Sequence, residues 1–371
     1  MNVNIKPGAK IGELTVGKQQ MVEIAKAIST NAKVIVFDEP TAALSSSEIE
    51  ELFKVIRDLR EKGTGIIYIS HRMDEINVIS DKVTVMRDGE YVGTLVTKEC
   101  TKDDIIKMMV GRTVFMDPKT ESAVKEGAEV VLKCEHLSRG KAVKDVSFEL
   151  RKGEILGFSG LMGAGRTEVA RLLFGADKRD SGKIFIHGKE VDIQSTEDAV
   201  KAGIGYLSED RKRYGLLVDK TVEENTCLAS LEKFQKGFFI DEKKCKERSE
   251  KYVEELRTKT PSVSQIIKKL SGGNQQKVVI AKWLLKDSEI LIFDEPTRGI
   301  DVGAKSEIYE LMERLVSEGK SIIMISSELP EILRMSDRII VMCEGRVTGC
   351  LDIAEVNQEA IMTCATNRQG E

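Results

Sequence analysis

The sequence is short of the residues that several kinds of chemistry need. It holds three histidines and one tryptophan in 371 residues, and aromatics make up only 5%. So sparse an aromatic content argues against a surface of base-stacking platforms. A balance of 57 Lys+Arg against 61 Asp+Glu excludes a wholly basic nucleic-acid-binding surface, and no nucleic acid partner is expected. Seven cysteines, at 100, 134, 227, 245, 343, 350 and 364, form no C-x-x-C pair. Scattered and odd in number, they suit a reducing compartment better than a disulfide framework, and no zinc site is expected. No apolar run approaches the roughly 20 residues that span a bilayer, and Met1 to Gly8 carry none of the apolar core of a secretory leader. Work at a membrane would have to be done by docking onto another protein. What is present, 41% hydrophobic and 32% charged residues, is ample for buried cores. Against a typical domain of roughly 150 residues, the length corresponds to about two and a half domains.

The half is explained by a repeat. At a constant offset of 256, Leu14-Thr15-Val16-Gly17-Lys18-Gln19-Gln20 falls on Leu270-Ser271-Gly272-Gly273-Asn274-Gln275-Gln276, and Phe37-Asp38-Glu39-Pro40-Thr41 falls on Phe293-Asp294-Glu295-Pro296-Thr297. Ile69-Ser70, Ser80-Asp81 and Val85-Met86 likewise fall on Ile325-Ser326, Ser336-Asp337 and Val341-Met342. A gapless offset over some eighty residues marks a duplicated domain. In each copy a helix carries Gln-Gln, and a short β-rich run (34–37; 290–293) then ends on two carboxylates. An amphipathic helix (47–61; 305–318) and a second buried strand (66–70; 322–326) follow. That alternation predicts a parallel sheet flanked by helices, with ligand beyond the carboxyl ends of the strands. The copies are unequal. Residues 129–269 precede the Leu270 motif, whereas only thirteen residues precede Leu14. The expected organisation is the C-terminal half of one domain at 1–112, a polar linker at 113–128, a complete domain at 129–352 and a helical tail at 353–371.

Residues 154–160 read as a buried strand running into Gly160-Leu161-Met162-Gly163-Ala164-Gly165-Arg166-Thr167. Four residues separate the outer glycines, and a cation and a hydroxyl follow, which is the spacing of a P-loop. Glycines let backbone N–H groups turn around a phosphate, the helix start adds partial positive charge, and Thr167 is placed for Mg²⁺. Arg166 stands where a P-loop normally has Lys, a planar fork in place of a point charge. By itself the turn would read as a tight strand-to-helix connection. Asp294-Glu295, emerging from Ile-Leu-Ile-Phe, changes that, because such a strand end can offer one carboxylate to Mg²⁺ and another to an attacking water.

With Leu270-Ser-Gly-Gly-Asn-Gln-Gln the pattern resembles the ATP-binding cassette ATPases, whose signature sequence sits upstream of the paired acids. Ser-Gly-Gly at a helix start offers a hydroxyl, bare amides and a positive dipole end. The resemblance extends over about residues 11–365 to the tandem ATPase subunits of bacterial monosaccharide importers of the ribose, galactose and xylose type. Gly160 to Glu168, Ser208-Glu-Asp-Arg-Lys-Arg213, Asp294 to Lys305, Gly17 to Ala27 and Ile69-Ser-His-Arg-Met73 carry it.

The resemblance implies an α/β, P-loop NTPase-type parallel sheet with antiparallel β and helical subdomains, present as one partial and one complete cassette. In that family two head-to-tail domains sandwich two ATPs with Mg²⁺. Nucleotide contacts would come from Gly160, Gly163, Ala164, Gly165, Arg166, Thr167 and Glu168, facing Thr15, Val16, Gly17 and Gln19. A second set, Ser271, Gly272, Gly273 and Gln275, would face the P-loop of the first cassette. Metal contacts would fall to Thr167, Asp294 and Asp38, and catalytic roles to Glu39, His71 and Glu295. The second copy has Ser327 where the first has the switch histidine His71, and Glu209 where a glutamine is usual. Its own site therefore lacks Lys, His and Gln together, and the chain alone is expected to bind ATP weakly and hydrolyse it slowly or not at all. Glu39 and His71 would serve a P-loop absent from these residues. Implied partners are membrane permease subunits as a dimer, an extracytoplasmic sugar-binding protein reached through them, and a chain supplying the missing P-loop. The implied location is the cytoplasmic face of the membrane. Import of nucleosides or other small solutes, a non-transport cassette ATPase and a nucleotide-responsive scaffold are the alternatives. Residues 196–255 read as a charged helical arm, and Arg211-Lys212-Arg213 as an exposed loop.

Overall fold

The computed structural model describes residues 5–30, 32–41, 44, 46–70, 73–87, 90–101, 104–105, 108, 118–125, 127–300, 302–354 and 356–367. The chain divides into two compact units, Met1–Val114 and Phe115–Glu371.

Unit 1 begins with α1 (Val16–Ser29), then β1 (Val34–Asp38), α2 (Ser46–Glu61), β2 (Gly65–Ile69) and α3 (Met73–Ile79), and a hairpin of β3 (Lys82–Arg87) and β4 (Glu90–Val96). β1 and β2 pair in parallel, Val34 opposite Gly65. Met21, Ile24, Ile35, Phe37, Leu52, Phe53 and Ile56 form one core. Ile76, Val83, Val85 and Ile105 form a second, smaller one. Among the described residues no strand joins the β1–β2 pair to the β3–β4 pair.

Unit 2 opens with an antiparallel layer of β5 (Val130–Arg139), β6 (Val143–Arg151), β8 (Ser181–Ile186) and β9 (Lys189–Val191), in the order β6-β5-β8-β9. The main sheet contains β7 (Ile155–Gly160), β10 (Ile204–Leu207), β13 (Ile290–Asp294), β14 (Ser321–Ile325), β15 (Arg338–Cys343) and β16 (Arg346–Asp352). Its order is β10-β13-β14-β7-β15-β16, with the first five strands parallel and β16 antiparallel at the edge. β13 and β14 are buried at every residue, as expected of parallel strands covered on both faces. That is why they read as unbroken apolar runs.

The helices of unit 2 are α4 (Arg166–Leu173), α5 (Thr196–Lys201), α6 (Val222–Cys227), α7 (Glu242–Glu255), α8 (Gly272–Lys286), α9 (Val302–Ser317), α10 (Leu329–Met335) and α11 (Gln358–Thr366). Capping boxes at Ser195 and Thr221 start α5 and α6. A short hairpin, β11 (Gln235–Lys236) and β12 (Phe239–Ile240), interrupts the helical arm between α6 and α7. α11 packs Ile361 and Ala365 against Ile332, Leu333, Ile339 and Val341, so the helical tail is part of this unit's core.

The repeat survives in detail. β13 pairs with β14 with Ile290 opposite Ser321, the same register as Val34 opposite Gly65. The β3–β4 hairpin is irregular between Val85 and Met86, and β15–β16 between Val341 and Met342.

Described residues of the linker belong to unit 2 and are not a free bridge. Buried Asp337 accepts from Lys119 Nζ at 2.6 Å, Ser122 Oγ at 3.1 Å and the Ala123 amide at 2.8 Å, while its other oxygen takes the Ile155 amide at 2.9 Å. The Lys119 amide also donates to the Leu333 carbonyl at 2.9 Å.

Candidate nucleotide site

β7 delivers the chain to a glycine turn, and three glycines there hold positive φ: Gly160 at 146°, Gly163 at 80° and Gly165 at 100°. A Cβ on Gly160 would stand 2.3 Å from the Met342 carbonyl, and one on Gly165 2.5 Å from that of Ala142. Side chains are excluded on both counts, conformation and space. Ala164 is buried, and its carbonyl accepts the Gly345 amide at 2.9 Å, pinning the loop to the turn after β15. Gly165 caps α4 without a side-chain acceptor, leaving the amides of the first turn for a ligand. Glu168 lies in that turn, and its charge opposes ionisation of Asp294 while supporting that of Arg166.

Arg166 is buried, and its Nη1 donates to the Ser326 carbonyl at 2.6 Å. Burial lowers its pKa, opposed by the charges of Glu295 and Asp294. A guanidinium carries five N–H donors, so one bond to Ser326 leaves capacity for an anion. Thr167 Oγ1 donates to Asp294 Oδ1 at 3.2 Å, and the Tyr206 hydroxyl to Asp294 Oδ2 at 2.9 Å. Asp294 is fully buried, and burial pushes its pKa up to about 6. Burial likewise pushes Glu295 up to about 7, against the charge of Arg166 and a hydrogen bond from Ser327 Oγ at 3.1 Å. Glu295 holds φ 49°, and Glu39, its counterpart, φ 47°. Both acids therefore stand in the left-handed region, a strain that clusters at functional sites.

These residues fit a phosphate group with Mg²⁺. The cradle has no room for side chains at Gly160 and Gly165, a cation lies beside it, and a hydroxyl meets a carboxylate at its rim. Mg²⁺ is held by one or two carboxylates together with substrate oxygens.

The signature motif starts α8, with Ser271 as its N-cap. A Cβ on Gly272 would stand 2.6 Å from Arg211 Nη2, and one on Gly273 2.7 Å from Ala304 Cβ. Gln275 is turned inward, donating to the Ile267 and Leu270 carbonyls at 3.2 and 3.1 Å. In unit 1, Thr15 caps α1, Gly17 is buried, and Gln19 donates to the Leu14 carbonyl at 2.9 Å. Both glutamines therefore fasten their helix starts from within. The side chain of Val16 and the whole of His71 lie outside the described residues. Asp38 ends β1 and is exposed, unlike Asp294.

One reading is corrected. Residues 211–215 form a π-helical turn, and Arg211 is half-buried against the signature, donating to the Arg298 carbonyl at 3.0 Å. Glu209 pairs with Arg298 on the same side. A cavity of about 450 Å³ opens between Glu209–Tyr214 and Arg298–Gly299, and no P-loop residue lines it. Tyr206 was not singled out from sequence as a partner of Asp294. A tyrosine within an apolar strand is a weak signal, visible only once β10 is placed next to β13.

A glycine cradle after a central parallel strand, with a cation, a hydroxyl and two strand-end acids around it, defines a P-loop nucleotide-binding protein. Comparison with known proteins narrows the class. The ABC transporter family model matches residues 2–42 and 143–298, and the chain belongs to that family. It is 58% identical over 373 residues, covering all of this chain and 72% of the relative, to a putative ribose/galactose/methyl galactoside import ATP-binding protein of Burkholderia lata. A protein with the same description from Geobacillus kaustophilus is 50% identical over 371 residues, covering 99% of this chain and 73% of its own length. Among solved structures, a nucleotide-free ATP-binding cassette from an ABC transporter aligns with a TM-score of 0.55 at 21% identity, covering 64% of this chain and 96% of its own. The dimeric structure of a bacterial ABC transporter cassette aligns with a TM-score of 0.52 at 23% identity, covering 60% and 98%.

Proposed function

We propose that this chain is an ATP-binding and ATP-hydrolysing subunit that energises import of a monosaccharide, working from the cytoplasmic face of the membrane against a permease dimer fed by an extracytoplasmic sugar-binding protein. The observation that carries the reading is 58% identity, over the whole of this chain, to a putative ribose/galactose/methyl galactoside import ATP-binding protein. No described helix is long and apolar enough to cross a membrane.

In this reading the amides of Gly160 to Gly165 and the α4 start bind the phosphates, with Arg166 as the accompanying cation. Thr167 and Asp294 would hold Mg²⁺, which would offset phosphate charge. Tyr206 keeps Asp294 oriented. Glu295 accepts a proton from water, and Ser327 fixes which way its carboxylate faces. A base whose pKa lies near neutrality is suited to that task. Asp38, Glu39 and His71 are the acids and switch residue of the first cassette, and Ser271 to Gly273 and Thr15 to Gly17 are the signature segments of the two copies.

With Arg166 in place of Lys and Ser327 in place of His, hydrolysis at the unit 2 site is slow. Steady turnover by the purified chain at roughly 1 s⁻¹ or more, abolished by Glu295→Gln, would contradict that. Substrate class is tested in cells whose copy of this chain carries Asp294→Asn. Uptake of labelled ribose and galactose should fall while nucleoside uptake is kept. The reverse pattern would assign the chain to nucleoside import.

A further inference from the structure

One buried arrangement occurs in both copies and has no part in the roles assigned above. The carboxylate of Glu331, in the first turn of α10, is buried and accepts from Thr297 Oγ1 at 2.7 Å, the Tyr309 hydroxyl at 2.8 Å and Ser326 Oγ. In unit 1, buried Glu75 accepts from Thr41 Oγ1 at 2.9 Å, the Tyr68 hydroxyl at 2.8 Å and Ser70 Oγ at 3.2 Å. The glutamates, threonines and serines occupy equivalent places in the repeat. The tyrosines do not. Tyr309 is on α9, where unit 1 has Phe53; Tyr68 is on β2, where unit 2 has Met324.

In unit 1 those two positions touch, the rings of Phe53 and Tyr68 meeting edge-on with centroids 6.4 Å apart. The phenol thus reaches the glutamate from opposite partners of one contact in the two copies. An apolar filler would do equally well at either position if only packing mattered. A buried carboxylate needs donors, because unmet acceptors cost their desolvation; in unit 2 the Tyr309 and Thr297 hydroxyls share Glu331 Oε1 while Ser326 takes Oε2, and in unit 1 all three hydroxyls converge on Glu75 Oε2.

The bonds show what the carboxylate holds. Thr297 stands two residues after Glu295, and Ser326 one before Ser327. The Glu295 amide donates to the Ile325 carbonyl at 2.9 Å, as that of Glu39 does to Ile69. Ser326 Oγ accepts the Glu328 amide at 3.0 Å, and the Ser326 carbonyl takes Arg166. Left-handed backbone at a glutamate persists only where its surroundings over-determine it. We infer that Glu331 and Glu75 are positioning residues. Each clamps the Asp-Glu-Pro-Thr turn to the turn after the next strand, with a tyrosine hydroxyl as required third donor. In unit 2 the clamp keeps Glu295 facing Ser327 and Arg166 seated on Ser326. Its consequence for nucleotide binding rests on the function proposed above; the clamp itself does not.

The test uses the full chain with Tyr309→Phe, Tyr309→Phe/Met324→Tyr and Glu331→Gln. Hydrogen exchange at the Glu295 amide is followed without nucleotide, and affinity is measured with a fluorescent Mg-ATP analogue. Tyr309→Phe and Glu331→Gln should each speed exchange at Glu295 about tenfold while the other β13 amides stay as they are, and should weaken the analogue about fivefold. Adding Met324→Tyr should bring the Tyr309→Phe values back to within about twofold. The exchanged pair Phe53→Tyr/Tyr68→Phe, read at the Glu39 amide, should match wild type where Tyr68→Phe alone does not, which gives an independent result if unit 2 variants fold poorly. Unchanged exchange at Glu295 in Tyr309→Phe and Glu331→Gln, or no recovery on adding Met324→Tyr, overturns the inference. If wild type does not bind the analogue, the nucleotide reading fails, and the exchange result still decides the clamp.

Discussion

β1 of unit 1 and β13 of unit 2 hold the same place in the repeat, pair with their neighbours in the same register and end on the same Asp-Glu-Pro-Thr. Every residue of β13 is buried, whereas β1 alternates, so that Val36 is 57% exposed and its counterpart Ile292 is 0%. The cause is the company each strand keeps. β14 has β7 on its far side in unit 2, and β13 has β10, while among the described residues β1 and β2 have only each other. Among the described residues one apolar strand motif thus ends on a buried Asp294 in one copy and on an exposed Asp38 in the other. Local sequence sets the strand and its register; the surrounding layers set the electrostatics of the acids at its tip.

That contrast should show most strongly in stability. Ile292→Ala should cost unit 2 about 3 kcal/mol, within the range for truncating a buried aliphatic side chain. Val36→Ala should change unit 1 by less than about 0.5 kcal/mol. Urea titrations that resolve the two units would check this, and equal losses would break the comparison. Asp337 and Asp81 form a second matched pair. Asp337→Ala strips acceptors from Lys119, Ser122, Ala123 and Ile155 and should cost about 3 kcal/mol. Asp81 pairs with Arg60 at 2.7 Å in the open, so Asp81→Ala should cost less than about 1 kcal/mol.

Asp294 and Glu295 also give a pH signature of unit 2. Folded pKa values near 6 for Asp294 and about 7 for Glu295 lie above those of an unfolded chain. The folded state therefore binds more protons, and these two groups cost stability as pH rises from about 4 to about 7. Glu295→Gln keeps the side chain's volume and removes the charge. It should raise stability at pH 8 by about 2 kcal/mol and leave it nearly unchanged at pH 4. Thermal unfolding of the two proteins across that range would show a gap that opens with pH; a constant gap would contradict the assignment.

Much of this was legible in the sequence because the signals are local or repeated. The constant offset placed the strands of both copies, and the glycine spacing placed the cradle. The apolar run before Asp294 marked a strand end. What stayed hidden depends on partners far apart in the chain. Tyr206 meets Asp294, and Lys119 meets Asp337, through side chains of ordinary type with no spacing rule to join them. Arg211 looked exposed because its neighbours Lys212 and Arg213 are; only a π-helical turn carries its guanidinium back onto Gly272. The glutamate clamp was in the repeat all along, but its tyrosines change position between copies, and alignment by residue identity passes over them.

The most direct test of the account is equilibrium titration of the full chain with Mg-ATP, beside Arg166→Ala and Thr167→Ala. The geometry predicts saturable binding to wild type, weakened at least about tenfold by Arg166→Ala through loss of a charge-assisted contact. Thr167→Ala should bind ATP but lose most of its dependence on Mg²⁺. Equal affinity in all three proteins, or no binding to wild type, would contradict the claim that Gly160 to Thr167 and Asp294 form a nucleotide site.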